Sequence, residues 1–234
     1  MRVAAVQFKA RKGDFEGSMA ALCQLAELAT QEADLVVLPE MAVTGYVFFS
    51  PEHARTVAEE PEGPTFSRLS PLARRAGCWM VAGFPELAGE VLFNSAMVIA
   101  PDGSLEFVYR KTLLYSADFP WAIPGDSGYR VFSTKAGDFG VGICMDLNDD
   151  AFVEWLERKR PKAIAFPTNW LDQGERIWGY WAWRLLGVPS ALVAANTWGQ
   201  EEHIRFRGES AILRERTLLA AAPPEGDGVI RARL

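Results

Sequence analysis

The stretch Phe139–Asp146, FGVGICMD, decides how we interpret the rest of this chain. Val141 and Ile143 are β-branched and flanked by glycines, which predicts a short buried strand. Cys144 lies where that strand ends, and the polar residues after it predict a turn leading into a helix at Ala151. A thiol at such a turn faces a cleft, where neighbouring backbone N–H groups can bind an anion. The pattern makes Cys144 a candidate nucleophile, although an isolated cysteine is more often a buried packing residue.

Length and composition limit the classes of protein to consider. The chain has 234 residues, 49% of them hydrophobic, which is enough for one α/β domain spanning residues 1–234. Its formal net charge of -6 provides no basic surface for nucleic acid. No apolar stretch is long enough to cross a membrane, and the first residues lack the features of a signal peptide. The sequence therefore predicts neither a nucleic-acid nor a membrane partner.

The cysteines and histidines point away from disulfides and metals. Three widely spaced cysteines, an odd number, argue against a disulfide framework and favour a reducing, cytoplasmic compartment. Two histidines, His53 and His203, and the lack of a C-x-x-C pair supply too few ligands for a zinc site. The glycines around residue 140 lack the spacing of a nucleotide-binding loop. We therefore expect no metal.

Two other predicted strands also end in reactive side chains. Leu35–Leu38 is continuously apolar, as in a sheet covered on both faces, and Pro39 ends this strand just before Glu40. The predicted strand Leu105–Arg110 ends at Lys111. Taken alone, each charged residue is more simply a solvated surface group. Binding sites form at the carboxyl ends of strands in open α/β sheets, so the shared position favours one cleft.

A carboxylate, an ammonium and a thiol have complementary roles in one cleft. The carboxylate can take the proton of the thiol, which then becomes a strong nucleophile. The ammonium can stabilise the negative charge of a tetrahedral intermediate, together with the N–H after the cysteine. This set suits attack on a carbonyl or nitrile carbon with loss of nitrogen.

The remaining periodicities predict alternating strands and helices, typical of a mixed α/β sandwich. The predicted strands cover residues 3–8, 35–38, 79–84, 91–99, 105–110, 163–166, 190–195, 210–213 and 228–234. The predicted helices cover residues 18–31, 51–60, 65–76, 152–159 and 175–186. The turn signal Pro101–Gly103 predicts a hairpin between the strands on either side of it.

Three motifs, in this order, resemble the nitrilase, or carbon–nitrogen hydrolase, superfamily. They are Leu38–Glu40, Tyr109–Lys111 and Gly142–Asp146. Supporting matches are Ala4–Gln7, Asn94–Ser95, Pro124–Asp126, Asn169–Trp170 and Ala195–Asn196. The resemblance implies a four-layer α-β-β-α sandwich, paired face to face into a homodimer or larger assembly. It also implies hydrolysis of a small-molecule amide without a metal or organic cofactor.

The resemblance further implies a catalytic set of Glu40, Lys111 and Cys144. In this scheme the cysteine forms a thioester, the glutamate is the base, and the lysine and the N–H of Met145 hold the oxyanion. Family members often carry a second glutamate in the loop after the lysine. By its spacing to the Pro-Gly-Asp segment, Asp118 takes that place here, with a side chain that is one methylene shorter.

The candidates for substrate binding are four further residues: Tyr46, Trp121, Asn169 and Trp170. Each could equally pack in the core, the two tryptophans especially. Within the superfamily, Cys144–Asn148 and Tyr180–Arg184 resemble the amidases that act on N-terminal asparagine and glutamine. These short matches give a hint about the substrate.

Other functions stay open at this level. The same three catalytic residues would also serve hydrolysis of a nitrile or removal of a carbamoyl group. A catalytically silent binding subunit could use the same scaffold. A Cys–His hydrolase with His203 as base is a further rival, although the charged stretch Glu201–His203 favours an exposed imidazole.

Overall fold

The computed structural model describes residues 1–234, which form two six-stranded sheets, one two-stranded sheet and five α-helices. The first sheet has the order β14-β1-β2-β3-β4-β5, with β1 Arg2–Gln7, β2 Leu35–Val37, β3 Trp79–Ala88, β4 Val91–Ile99, β5 Leu105–Arg110 and β14 Gly228–Arg233. The second has the order β13-β12-β9-β8-β7-β6, with β6 Val131–Thr134, β7 Gly137–Val141, β8 Ala163–Pro167, β9 Ala191–Ala195, β12 Ala211–Arg214 and β13 Thr217–Ala221. The two-stranded sheet pairs β10, Trp198–Glu201, with β11, Ile204–Arg207.

The helices are α1 Phe15–Thr30, α2 Pro51–Arg55, α3 Pro64–Ala76, α4 Asp150–Lys159 and α5 Ile177–Arg184, and a 3₁₀ helix spans Cys144–Asn148. None of these helices has the length and apolar character needed to cross a membrane. Most predicted elements lie within a few residues of their observed bounds. Helix α1 begins three residues before the prediction because the side chain of Asp14 accepts a hydrogen bond from Gly17 N–H and caps it.

The layers are held together by two apolar clusters, one on each face of the first sheet. Leu35 and Val37 face the second sheet and belong to a cluster of 35 buried residues that also includes side chains of α4 and α5. Val36 points the other way, into a cluster shared with α1 and α3. On the second sheet, an added Cβ at Gly140 would contact the side chains of α4. The predicted four-layer α-β-β-α sandwich is confirmed, and strand β2 is continuously apolar because both its faces are buried.

Within each large sheet, the strands that precede the candidate site residues run in the same direction, so their carboxyl ends lie at the same edge of that sheet. In the first sheet β1, β2 and β3 run parallel, and β5 has the same direction because two antiparallel pairings separate it from β3. In the second sheet β7, β8 and β9 run parallel. The residues after β2, β5, β7 and β8 are therefore free to meet at the interface between the sheets.

One predicted helix is shorter in the structure, and four strands of the structure were not predicted. The helix predicted over residues 51–60 ends at Arg55, because Glu59 turns away and its backbone bonds to β3. Four strands were not predicted: β6, β10, β11 and β13. Each is four or five residues long and pairs at an edge of a sheet or in a hairpin, where one face is solvated and the apolar signal is weak.

Candidate active site

A buried ammonium between two carboxylates forms the centre of the site. The Lys111 Nζ lies 2.8 Å from Glu40 Oε1 and 2.7 Å from Asp118 Oδ2, and all three side chains are 0% exposed. Asn94 Nδ2 donates to both acids, at 2.7 Å to Glu40 Oε1 and 3.0 Å to Asp118 Oδ1. The amide and the ammonium therefore hold the two carboxylates at fixed positions around one cation.

Burial and charge act in opposite directions on these groups. Burial raises the pKa of the Glu40 carboxyl, and the charge of Lys111 only partly offsets this. Burial alone would lower the pKa of Lys111, but the charges of Asp118 and Glu40 raise it well above its ordinary value. The lysine therefore stays an ammonium, while the glutamate is a stronger base than an exposed carboxylate.

The turn after β2 carries Glu40 into this position. Pro39 ends the strand, and Gly83 on the neighbouring strand β3 allows the turn to pass directly over it. Gly83 N–H donates to Pro39 O at 3.0 Å, and Ala42 N–H donates back to Gly83 O at 2.9 Å. Met41, which follows the glutamate, has φ 49°, an uncommon value for a non-glycine residue.

Cys144 lies at the other side of the site, as the first residue of the 3₁₀ helix after β7. Its φ of 44° places it in the left-handed region, and it is 5% exposed. The thiol is therefore more buried than the sequence pattern predicts for a turn at a cleft. Burial raises its pKa, and the charge of Glu40 raises it further, whereas Lys111 lowers it. A thiol in this environment stays protonated until a base removes the proton.

The end of β8 connects the thiol to the glutamate. Asn169 N–H donates to Glu40 Oε2 at 2.8 Å. The same N–H and the hydroxyl of Thr168 lie close enough to Cys144 to lower the pKa of its thiol. The Thr168 hydroxyl is buried and has no hydrogen-bond partner in this geometry. Glu40 and Cys144, which come from different sheets, thus share a neighbour at the tip of one strand.

The structure places the other predicted site residues at different distances from this centre. The Tyr46 ring lies 5.7 Å from Lys111 Nζ and is 1% exposed. Trp121 packs edge to face on Phe48, with ring centroids 5.2 Å apart, in a buried apolar cluster. Trp170 packs in the large core between aromatic rings of the second sheet and α5. Both tryptophans have mainly packing contacts, and their role toward a substrate stays a prediction.

Several contributing residues could not be assigned a role from the sequence alone. Asn94 stands in a recognised motif, but its bridge between two carboxylates depends on the loop that carries Asp118. Thr168 and Asp146 contact residues from distant elements.

His203 is exposed in the turn between β10 and β11, where the sequence placed it. No group of three or more His, Cys, Asp or Glu residues in residues 1–234 is arranged to hold a metal ion.

Comparison with known proteins decides the family. The profile of the carbon–nitrogen hydrolase family matches residues 2–234. The chain belongs to this family. The resemblance inferred from its motifs, and with it the expectation of a carbon–nitrogen hydrolase enzyme, is confirmed.

Related carbon–nitrogen hydrolases carry several different names. A nitrilase of Pyrococcus abyssi is 36% identical over 190 residues, which cover 80% of this chain and 71% of the relative. A protein N-terminal amidase of Schizosaccharomyces pombe is 26% identical and covers 91% of each chain. The fold matches that of an amidase from Nesterenkonia sp. AN1 with a TM-score of 0.86, at 23% identity over 100% of this chain and 93% of the other. Within the carbon–nitrogen hydrolases, these relatives leave the substrate open.

Proposed function

We propose that this carbon–nitrogen hydrolase is an amidase that works through a thioester on Cys144. The observation that carries the proposal is the buried set of Glu40, Lys111 and Asp118, joined through Asn169 N–H to the surroundings of a buried thiol. Burying three charges is costly, and sites where burial and charge shift pKa values together are typical of catalysis.

The first half of the reaction forms the thioester. The sulfur of Cys144 attacks the amide carbon while its proton passes to Glu40. Lys111 and the N–H of Met145 stabilise the oxygen anion of the tetrahedral intermediate. The C–N bond then breaks, and Glu40 gives the proton to the departing ammonia or amine.

The second half returns the enzyme to its starting state. Water attacks the thioester carbonyl as Glu40 takes one of its protons, and the same groups hold the second tetrahedral intermediate. The C–S bond breaks, the carboxylic acid leaves, and the sulfur regains the proton from Glu40. The raised pKa of Glu40 suits it to both accept and return a proton.

Asp118 supports the lysine in this scheme. Its Oδ2 lies 2.7 Å from Lys111 Nζ and also accepts a hydrogen bond from Tyr115 N–H at 2.9 Å. The shorter side chain therefore still reaches the ammonium. This contact favours the enzyme over a catalytically silent subunit, because the lysine is held in its charged form.

The surface beside the site favours a substrate larger than a simple primary amide. A cleft of about 570 Å³ opens there, with mostly apolar walls that include Phe48, Phe49, Tyr115, Leu171 and Ile204. The cleft lies next to the loop that carries Asp118, since the wall residue Tyr115 donates its N–H to that carboxylate at 2.9 Å. The relative named protein N-terminal amidase and the short matches noted above support an amide at the end of a peptide-like molecule. Tyr46, Trp121, Asn169 and Trp170 remain our candidates for contacts with such a substrate.

Nitrile hydrolysis is the second candidate function. It is favoured by the relative of Pyrococcus abyssi, which is named a nitrilase. The two activities use the same thiol, base and cation, so only the substrate can separate them. Turnover of nitriles at rates equal to or above those of matched amides would replace the amidase assignment.

The decisive experiment combines turnover with mass spectrometry. We expect ammonia release from a panel of amides that includes peptides with N-terminal asparagine or glutamine, and an acyl adduct on Cys144 in protein quenched during turnover. Cys144→Ala should abolish both, and Cys78→Ala serves as a control because Cys78 is buried in the cluster on the outer face of the first sheet. Full turnover by the Cys144→Ala variant would rule out the thioester mechanism.

We also propose that the chain works as a homodimer or larger homo-oligomer in a reducing, cytoplasmic compartment. Helix α5 leaves three large side chains exposed: Tyr180 at 39%, Trp183 at 60% and Leu186, just after the helix, at 59%. Such a cluster is typical of a contact surface. All three cysteines are free thiols, which supports the compartment.

A further inference from the structure

Asp146 is a buried carboxylate two residues after the thiol, and the reaction steps above give it no task. Its exposed fraction is 0%, and no lysine or arginine forms an ion pair with it in residues 1–234. Burial raises the pKa of this carboxyl, whereas hydrogen bonds from its neighbours lower it. An unpaired acid is costly to bury, so its surroundings must compensate by donating hydrogen bonds.

Five hydrogen bonds converge on this one side chain. Oδ2 accepts from the Tyr109 hydroxyl at 2.7 Å and from Ile143 N–H at 2.8 Å. Oδ1 accepts from Thr112 N–H, Thr112 Oγ1 and Leu113 N–H, each at 2.9 Å. Every donor is a hydroxyl or a backbone N–H, so the carboxylate is matched by donors alone.

The donors and the carboxylate come from the ends of two strands in different sheets. Tyr109 lies two residues before Lys111 and Thr112 one residue after it, both at the end of β5 in the first sheet. Ile143 and Asp146 itself lie on either side of Cys144, at the end of β7 in the second sheet. The carboxylate therefore joins the backbone that carries the ammonium to the backbone that carries the thiol.

We propose that Asp146 is a positioning residue for the reaction. Its carboxylate clamps the turn of the nucleophile to the end of β5 and so fixes the separation of the Cys144 sulfur and the Lys111 ammonium. The inference rests on the proposed function, because this separation matters only if the ammonium stabilises charge that develops next to the sulfur.

An amide cannot replace this carboxylate. An asparagine has one accepting oxygen and one donating NH₂ group, so in either orientation its NH₂ would face two or three of the five donors. The turn would then shift away from β5. A displacement of about 1 Å at a reacting group can cost about 100-fold in rate while the substrate still binds.

The test compares Asp146→Asn with a matched control three residues further on. Asp149 accepts from the Tyr129 hydroxyl at 2.7 Å and from Ala151 N–H at 3.0 Å, but it caps α4 and has no hydrogen bond to β5. Two rates are measured per mole of folded protein. One is amide hydrolysis, resolved into kcat and KM, and the other is alkylation of Cys144 by iodoacetamide, which needs the sulfur but no oxyanion site.

We expect Asp146→Asn to lower kcat about 100-fold, with changes in KM and in the alkylation rate below about threefold. Asp149→Asn should lower stability and leave kcat, KM and the alkylation rate, each per folded molecule, near those of the wild type. A second pair covers the case in which Asp146→Asn does not fold. Thr112→Val removes one hydroxyl donor and should lower kcat several-fold, whereas Thr112→Ser keeps that donor and should be fully active.

The remaining outcomes separate the two proposals. An active wild type with a fully active Asp146→Asn, or Thr112→Val, variant would overturn this inference alone. Equal losses of turnover and alkylation in the Asp146→Asn variant would also overturn it, because they would indicate a general loss of structure around the thiol. A wild type that hydrolyses no amide would overturn the proposed function and this inference with it.

Discussion

At the scale of single residues, Glu40 is the group whose titration should govern activity. In the proposed mechanism it must be charged in the free enzyme to accept the thiol proton, and burial raises its pKa. Activity is therefore present above that pKa and lost as the pH falls through it. Lys111 imposes no limit on the alkaline side within the ordinary range, because its pKa is raised well above its usual value.

Asn94 offers a way to move this acid limb. Its amide donates to the charged Glu40 at 2.7 Å and so lowers the pKa of that carboxyl. We expect Asn94→Ala to raise the pKa and shift the acid limb of kcat/KM upward by about one to two pH units, since a hydrogen bond to a charged group contributes about 1.5–3 kcal/mol. Ser95→Ala is the control, because Ser95 donates to Glu86 instead. An acid limb that stays in place, or moves downward, would contradict the assignment of Glu40 as the base.

Thr168 provides a second prediction at this scale. A buried hydroxyl without a partner should be replaceable by the valine methyl group at no cost, or with a gain in stability. We expect the hydroxyl to donate to the sulfur once the proton has left, so that Thr168→Val lowers kcat about tenfold and Thr168→Ser restores it.

Stopped-flow measurement of acylation would check this expectation. Thr65→Val is the matched control, since Thr65 is also fully buried but donates to Glu59, away from the thiol. Acylation by Thr168→Val at the wild-type rate would show that the hydroxyl has no part in the reaction.

At the scale of elements, the turn after β2 depends on one glycine. A Cβ at Gly83 would lie 2.4 Å from Glu40 Cα and 2.8 Å from both Met41 N and Pro39 O, all of which are backbone atoms that cannot move aside independently. We expect Gly83→Ala to displace Glu40, lower kcat at least tenfold and reduce the free energy of unfolding by about 1–3 kcal/mol.

Gly140→Ala is the control for this substitution. Gly140 lies in β7, but a Cβ there would meet its nearest atom, Pro161 Cγ, at 3.4 Å, an ordinary contact. Urea unfolding together with steady-state kinetics would distinguish the two variants. A Gly83→Ala enzyme with wild-type kcat would mean that the turn tolerates displacement.

The three candidate catalytic residues could be predicted from the sequence of the elements that carry them. Glu40, Lys111 and Cys144 each follow a strand that the sequence predicts, and the end of a predicted strand can be read locally. Their order and the family motifs then identified the fold. The network of Asp146 could not be foreseen, because it depends on two sheets meeting face to face, a contact between residues more than thirty positions apart.

The hairpin of β10 and β11 shows a different limit. Ile204 and Phe206 alternate with charged residues, so the segment looks like a solvated loop. In the folded chain, Glu201 accepts from the N–H groups of Tyr46 and Val47 and anchors the loop that brings Tyr46 toward Lys111. A charged side chain used as an anchor has the same sequence signature as one that faces water.

At the scale of the whole molecule, helix α5 links the site to the outer surface. Tyr180 donates its hydroxyl to Asn148 Oδ1 at 2.6 Å, and Arg184 Nε donates to Leu147 O at 2.8 Å. Both acceptors belong to the 3₁₀ helix that begins with the thiol. A partner that covers α5 would therefore also restrain the turn of the nucleophile.

This arrangement predicts that assembly and activity are coupled. We expect light scattering to give the mass of two or more chains for the wild type, and Trp183→Lys to lower it to one chain by placing a charge at the contact. Leu28→Lys is the control, because Leu28 is 44% exposed on α1, which packs on the first sheet, whereas α5 packs on the second. The single-chain variant should also lose several-fold in kcat, since α5 would then restrain the 3₁₀ helix less firmly.

A wild type with the mass of one chain at all concentrations, or a Trp183→Lys variant with unchanged mass, would exclude α5 as the contact. An active single-chain variant would show that the site is complete within one copy.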